Sequence, residues 1–235
     1  MRVMFVHGLE SGPSGTKVRV LREQGFDVVA EDMHMSLRRW DKRNSVLRSL
    51  LRGPELWAWV LGTLGLVVGA WWLPPLLLVA AAVALGGVVG RGRAWVQQAM
   101  ATSLVRCAEI QRRALIAHAP DVVVGSSWGG AVVVQLLLDG SWSGPTVLLA
   151  PAHRLVQQRT NPAGVEAHQA QIRALDVALV TVHDPGEEVV PYVADDAIHE
   201  VGETVLAAGA GHRLLPCLED GTVARAIRKV GPEGR

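Results

Sequence analysis

Short β-branched runs alternate with stretches of helical periodicity along nearly the whole chain. Strands are predicted at Arg2–His7, Asp27–Ala30, Asp121–Gly125, Thr146–Ala150, Ala178–His183 and Glu203–Leu206. Several are apolar at successive rather than alternate positions, as in Val122-Val123-Val124, which suits strands buried on both faces of a parallel sheet. Helices are predicted between them, over about Ser14–Gln24, Arg93–His118, Trp128–Leu138, Pro162–Leu175, Pro191–Glu200 and Asp220–Val230. Gly25 and Gly140 follow two of these segments and Pro162 and Pro191 open two others, the asymmetry expected of helix termini. This alternation predicts an α/β fold: a mostly parallel six-stranded sheet with right-handed crossovers, flanked by helices.

One segment breaks the pattern. Leu56 to Gly90 is a run without a single charge, and Thr63 is its one conventional polar side chain. Arg38, Arg39, Lys42, Arg43, Arg48 and Arg52 precede it, and Arg91 and Arg93 close it. Pro74-Pro75 breaks any helix near the middle, leaving two apolar limbs, Leu56–Leu73 and Leu76–Gly90, of roughly 27 and 22 Å against a hydrocarbon core of ~30 Å. Trp57, Trp59, Trp71 and Trp72 lie near the ends of the first limb, where interfacial tryptophan belongs. Residues 34–91 therefore read as an inserted basic segment plus an apolar helical hairpin, and residues 1–33 and 92–235 as the core. Three roles stay open for the hairpin: a lid over the sheet edge, a membrane anchor, or a contact between copies of the chain.

Composition sharpens this division. The 23 basic and 22 acidic residues all lie outside the run, so the remainder is about 22% charged, near the globular norm. A net charge of +1 argues against nucleic acid as a partner, which calls for a basic stripe. Cys107 and Cys217 stand far apart in no metal-like spacing, so neither a disulfide framework nor a metal site is expected. The first residues enter a strand directly, with no signal-like segment. The expected location is the cytoplasm, with attachment to the inner face of the cell membrane if the hairpin is an anchor.

The chemistry centres on Gly125-Ser126-Ser127-Trp128-Gly129-Gly130, a G-x-S-x-G sequence between a buried strand and an apolar helix. There a tight turn lifts the Ser127 hydroxyl to the sheet's carboxyl edge beside a helix N-terminus. A serine nucleophile needs a base, and the base needs an orienting carboxylate. His153, His168, His183, His199 and His212 follow the elbow. His212, in the Gly-rich loop after the last strand, is the expected base; His168 and His199 read as surface residues on helices, and His183 as support for the acid loop. Asp184, Glu187 and Glu188 all lie in the loop that should carry the acid. The first strand runs into His7-Gly8-Leu9, a turn able to aim the Leu9 N–H at the same point as that of Trp128, giving a two-donor oxyanion hole. Phosphate-loop signatures are absent from Gly8–Lys17.

Together these motifs, with Leu148-Leu149-Ala150-Pro151-Ala152 and Gly211-His212, resemble the α/β-hydrolase superfamily, in particular small bacterial serine esterases with a His-Gly-x-x-Ser-x-Pro loop. The acid loop of such enzymes often reads His-x-x-x-Asp-x-Val-Val-Pro. The resemblance thereby implies Glu187 as the acid, with Asp184 in reserve. It also implies a lid after the strand that follows the elbow, whereas here Pro151–Pro162 is short and the insertion comes earlier. The function expected is cleavage of a small or lipid-like carboxylic ester with an apolar acyl group, without cofactor. A thioesterase or acyltransferase with the same residues, and a non-catalytic membrane-anchored binding protein, are the rival readings.

Overall fold

A computed structural model describes residues 1–36, 51–70 and 74–234. The basic residues from Arg38 to Arg48, and Trp71 and Trp72, lie outside the described residues. Six strands form one sheet: β1 (Arg2–Val6), β2 (Asp27–Val29), β3 (Val122–Ser126), β4 (Thr146–Leu149), β5 (Leu179–His183) and β6 (Glu203–Leu206), in the order β2-β1-β3-β4-β5-β6. Every pairing is parallel, so the sheet is more uniform than the mostly parallel one expected. The three consecutive valines of β3 are fully buried, because helices cover both faces. Val123 faces a core built from the C-terminal part of α3 (Pro74–His118) and from α4 (Trp128–Leu138). Val122 and Val124 face a second core built with α1 (Thr16–Glu23) and two C-terminal helices described below.

Strand order reverses between β1 and β3: β2 lies on one side of β1, and all later strands lie on the other. Loops leaving the carboxyl ends of β1 and β3 therefore diverge and leave a crevice, the usual ligand position in an open parallel sheet. That crevice holds His7-Gly8-Leu9 and Ser127.

The apolar run forms α2 (Pro54–Ala70) and the start of α3. Pro74 and Pro75 open α3, where a missing N–H costs nothing. The expected helix at Arg93–His118 is only the second part of one 45-residue helix. Arg91, Gly92 and Arg93 do not break it, since no proline lies between Pro75 and His118 and the N-terminal part packs along α2. Ala99, Ser103, Cys107, Ala108, Gln111, Ala114 and Leu115 are buried at helical spacing, so the C-terminal part lies on the sheet. Among the described residues no helix is long and apolar enough to cross a membrane.

Elsewhere the helices differ from expectation in three places. Of the segment Pro191–Glu200, only Ile198 onward is helical, as α7 (Ile198–Val201); just before it, Asp196 accepts the Ile198 N–H through its side chain in a local turn that competes with helix. Helix α5 (His153–Thr160) forms in the segment read as a short loop, before α6 (Val165–Arg173). The last predicted helix is preceded by α8 (Leu215–Glu219), with Pro216 in its first turn, and starts at Thr222 as α9 (Thr222–Val230).

Candidate active site

Ser127 sits between β3 and α4 with φ 55° and ψ −118°. A non-glycine residue there is strained, and the strain persists because neighbours fix the turn. The Ser127 N–H donates to the Leu149 carbonyl, and its carbonyl accepts from Ala131 and Ala152. Gly129 lets α4 approach β1: any Cβ there would collide with the carbonyl oxygens of Val6 and His7.

The structure brings Ser127, His212 and Glu187 together. His212 Nε2 lies 3.0 Å from Ser127 Oγ, and His212 Nδ1 lies 2.6 Å from Glu187 Oε2. With Nδ1–H donating to the carboxylate, Nε2 is left to accept the serine proton. The Glu187 side chain is 1% exposed, and its other oxygen accepts the Val190 N–H at 2.5 Å. The Val190 carbonyl in turn takes a hydrogen bond from His183 Nε2 at 2.8 Å, so His183 braces the loop that carries Glu187. Asp184 does not meet the imidazole. It accepts the N–H groups of Gly186 and Gly211, which hold its carboxyl below the usual range.

The opening loop completes the crevice. A Cβ on Gly8 would stand 3.1 Å from Ser127 Cβ, so the backbone leading to Leu9 lies directly against the Ser127 side chain. Trp128 opens α4, where a helix leaves its first N–H groups without intrahelical partners. The loop is strapped to the segment after β2: Met33 N–H donates to His7 Nε2, Glu10 N–H to the Met35 carbonyl, and Ser36 Oγ to Glu10.

No family model matches the chain, and no curated protein matches it. Among solved structures, the crystal structure of TT1662 from Thermus thermophilus is similar with a TM-score of 0.56, at 16% identity, covering 95% of this chain and 86% of that one. The fold is α/β-hydrolase-like. At such identity the likeness extends to the architecture alone.

Two features of the site were not anticipated from sequence. Lys17, in the first turn of α1, reaches under the elbow and donates to Ser126 Oγ at 2.8 Å. Burial, followed by the Arg213 charge, lowers its pKa to about 8, against an opposing pull from Glu187. The second feature is a cavity of about 170 Å³ between the end of β4 and the acid loop, with His153, His183, Val190, Asp196 and His199 among its walls. His153 and Asp196 are joined at 3.0 Å. Burial would raise the Asp196 pKa, but the His153 hydrogen bond and charge outweigh it and leave it at about 2.

His168 and His199 are not free surface residues but half-buried members of this cluster. Burial lowers both to about 4, with the nearby His153 charge adding to the effect and Asp196 opposing it. Only the three-dimensional packing of α5, α6 and α7 brings these histidines together; nothing in their spacing marks them. Among the described residues no cluster of His, Cys, Asp or Glu is arranged to hold a metal.

Proposed function

We propose that this protein is a serine hydrolase that cleaves carboxylic esters through an acyl-enzyme, with an apolar acyl group as its preferred cargo. The observation that carries the reading is the hydrogen-bonded line from Ser127 Oγ through His212 to a buried Glu187, starting from a strained residue at the carboxyl edge of the sheet. Positive φ recurs at other turns of the chain, but a purely structural turn has no need of a serine at ψ −118°, nor of a carboxylate with both oxygens occupied behind a histidine.

Ser127 Oγ attacks the ester carbonyl carbon while its proton passes to His212 Nε2. The resulting imidazolium is stabilised by Glu187, which keeps its own charge. The tetrahedral oxyanion is received by the N–H groups of Leu9 and Trp128, each donor of this kind being worth ~3–4 kcal/mol in the transition state. Collapse breaks the ester C–O bond, and His212 returns the proton to the departing alcohol. Water then repeats the sequence: His212 takes its proton, hydroxide adds to the acyl carbon, and Ser127 leaves reprotonated as the carboxylic acid is released. The inserted apolar hairpin is the feature that favours esters of acyl chains over those of charged acids.

Turnover of a p-nitrophenyl ester series, from acetyl to long acyl chains, tests the proposal. Ser127→Ala is expected to lower kcat at least ~10⁴-fold on every member. Undiminished turnover by that variant overturns it.

A further inference from the structure

The α2–α3 hairpin carries an apolar surface that no other part of the described chain covers. On α2, Trp57, Leu61, Leu64 and Val68 are 50%, 62%, 56% and 63% exposed, and their spacing of four, three and four residues puts them on one stripe. That stripe faces away from α3, since Trp59, on another face, is the residue that meets Trp95 of α3, with ring centroids 5.7 Å apart. On α3 the exposed positions Val79, Ala82, Gly86 and Gly90 form a second outward stripe. An isolated large apolar residue at a surface is ordinary, but a contiguous patch marks a site of interaction.

Three observations identify the occupant. First, the apolar surface includes outward faces of both helices, and Leu56–Gly90 supplies no charged rim. A second protein would cover one face and leave a polar border, whereas lipid surrounds a hairpin. Second, Thr63, the one conventional polar side chain of the run, donates to the Trp59 carbonyl one turn back at 2.9 Å, so it presents no unpaired hydroxyl to an apolar medium. Third, the cations gather where the hairpin meets the core. Arg52, Arg91 and Arg93 are exposed there, and a groove of about 500 Å³ at the junction is lined by Arg93 and Arg159, with Gln97 and Gln158 beside them and Val96 and Met100 as its apolar wall. Guanidinium groups above an apolar wall suit a phosphate headgroup with its acyl chains beneath. Trp57 stands at the same end, its Nε1 donating to the Leu51 carbonyl, in the manner of an interfacial tryptophan.

We infer that the hairpin seats this protein on an anionic phospholipid bilayer, with the outward stripes of α2 and α3 among the acyl chains and Arg52, Arg91, Arg93 and Arg159 at the phosphate level. From Trp57 to Ala70 the rise is about 20 Å, deeper than one leaflet of ~15 Å but short of the full ~30 Å hydrocarbon core. The hairpin enters and returns on one side. The inference stands on the hairpin and does not depend on the chemistry at Ser127.

The test is co-sedimentation of the full chain with vesicles of phosphatidylglycerol mixed into phosphatidylcholine, beside pure phosphatidylcholine, with tryptophan quenching by brominated acyl chains. Wild type is expected to sediment with the anionic vesicles and to show quenching. Arg91→Gln with Arg93→Gln weakens binding roughly 30-fold, at about fivefold per guanidinium. Leu61→Glu, Leu64→Glu and Val68→Glu combined weaken it by roughly 100-fold or more; these side chains point away from the core, and far-UV circular dichroism checks that the variant is folded. Ser127→Ala binds vesicles like wild type, so failure of the hydrolase reading leaves this result untouched. Absence of sedimentation and quenching by wild type overturns the inference. So does a stable dimer in light scattering that the triple Glu variant abolishes, because a second copy would then cover the stripe.

Discussion

Gly211 donates its backbone N–H to Asp184 Oδ2 at 2.6 Å, and the next residue is His212. The other oxygen of Asp184 accepts the N–H of Gly186, next to Glu187. One carboxylate thus ties the His212 loop to the Glu187 loop without touching the imidazole. On the proposed mechanism, replacing it loosens geometry, whereas replacing Glu187 removes the charge that would stabilise the imidazolium.

This separates two carboxylates that the sequence leaves as rivals. Glu187→Gln is expected to lower kcat about 10⁴-fold, the scale seen when such an acid becomes an amide, with little change in Tm. Asp184→Asn is expected to lower kcat by only about 10–100-fold, the scale of a misplaced catalytic group, while lowering Tm. Steady-state kinetics and thermal melts on the two variants check the ranking, and the reverse order would assign the acid to Asp184.

Gly8 is expected to be intolerant of even one methyl group. A Cβ there meets Ser127 Cβ and the Ser126 carbonyl oxygen, both at 3.1 Å, and neither belongs to a flexible side-chain end. Gly8→Ala must displace either the oxyanion loop or the elbow, and a fall of about 10²-fold in kcat is expected. The rate of p-nitrophenyl acetate hydrolysis measures it directly.

Lys17 is placed against its own stability. A cation in the first turn of a helix opposes the macrodipole, and burial holds its pKa at about 8. Between about pH 8 and 10.5 the unfolded chain binds this proton more than the folded one does, so the Lys17 contribution to stability rises with pH across that window. Lys17→Met is therefore expected to raise Tm at pH 7, with the difference from wild type shrinking toward pH 10.5. The same change strips Ser126 Oγ of its donor and removes a positive charge near Glu187, so kcat is expected to fall and the kcat/KM–pH profile to move. Unchanged kinetics across that pH range would reduce Lys17 to a packing residue.

Acid sensitivity should arise in two steps. His168 and His199, lowered to about 4 by burial, take up protons on unfolding, so their contribution is intact above pH 6.5 and is lost as pH falls toward 4. Asp196, lowered to about 2, contributes above pH 4 and loses its effect below. Urea titrations from pH 7 to 3 are expected to show stability declining first across the histidine window. His168→Gln with His199→Gln flattens that first decline and leaves the lower one.

The sheet was legible because the signal was local. Successive β-branched valines in β3 suit a strand buried on both faces, and the elbow needs small residues at fixed offsets from Ser127. What escaped was non-local. The Lys17–Ser126 bond joins residues 109 positions apart, and no periodicity reports it. The extent of α3 was hidden by Gly86, Gly87, Gly90 and Gly92, which weaken helix propensity until α2 packs alongside. Before α7, Asp196 turns its carboxylate to the Ile198 N–H, a local bond that competes with the helix expected from Pro191. Choosing Glu187 over Asp184 needed the resemblance to a family, since the loop itself offered both.

Ser127 as the proposed nucleophile is tested most directly by the position of a covalent adduct. Incubation of the full chain with an alkyl fluorophosphonate, followed by peptide mapping by mass spectrometry, is expected to give one adduct, on Ser127. His212→Ala is expected to form it at least ~10³-fold more slowly. An adduct on a different serine, or a wild-type protein that remains unlabelled, would contradict the account.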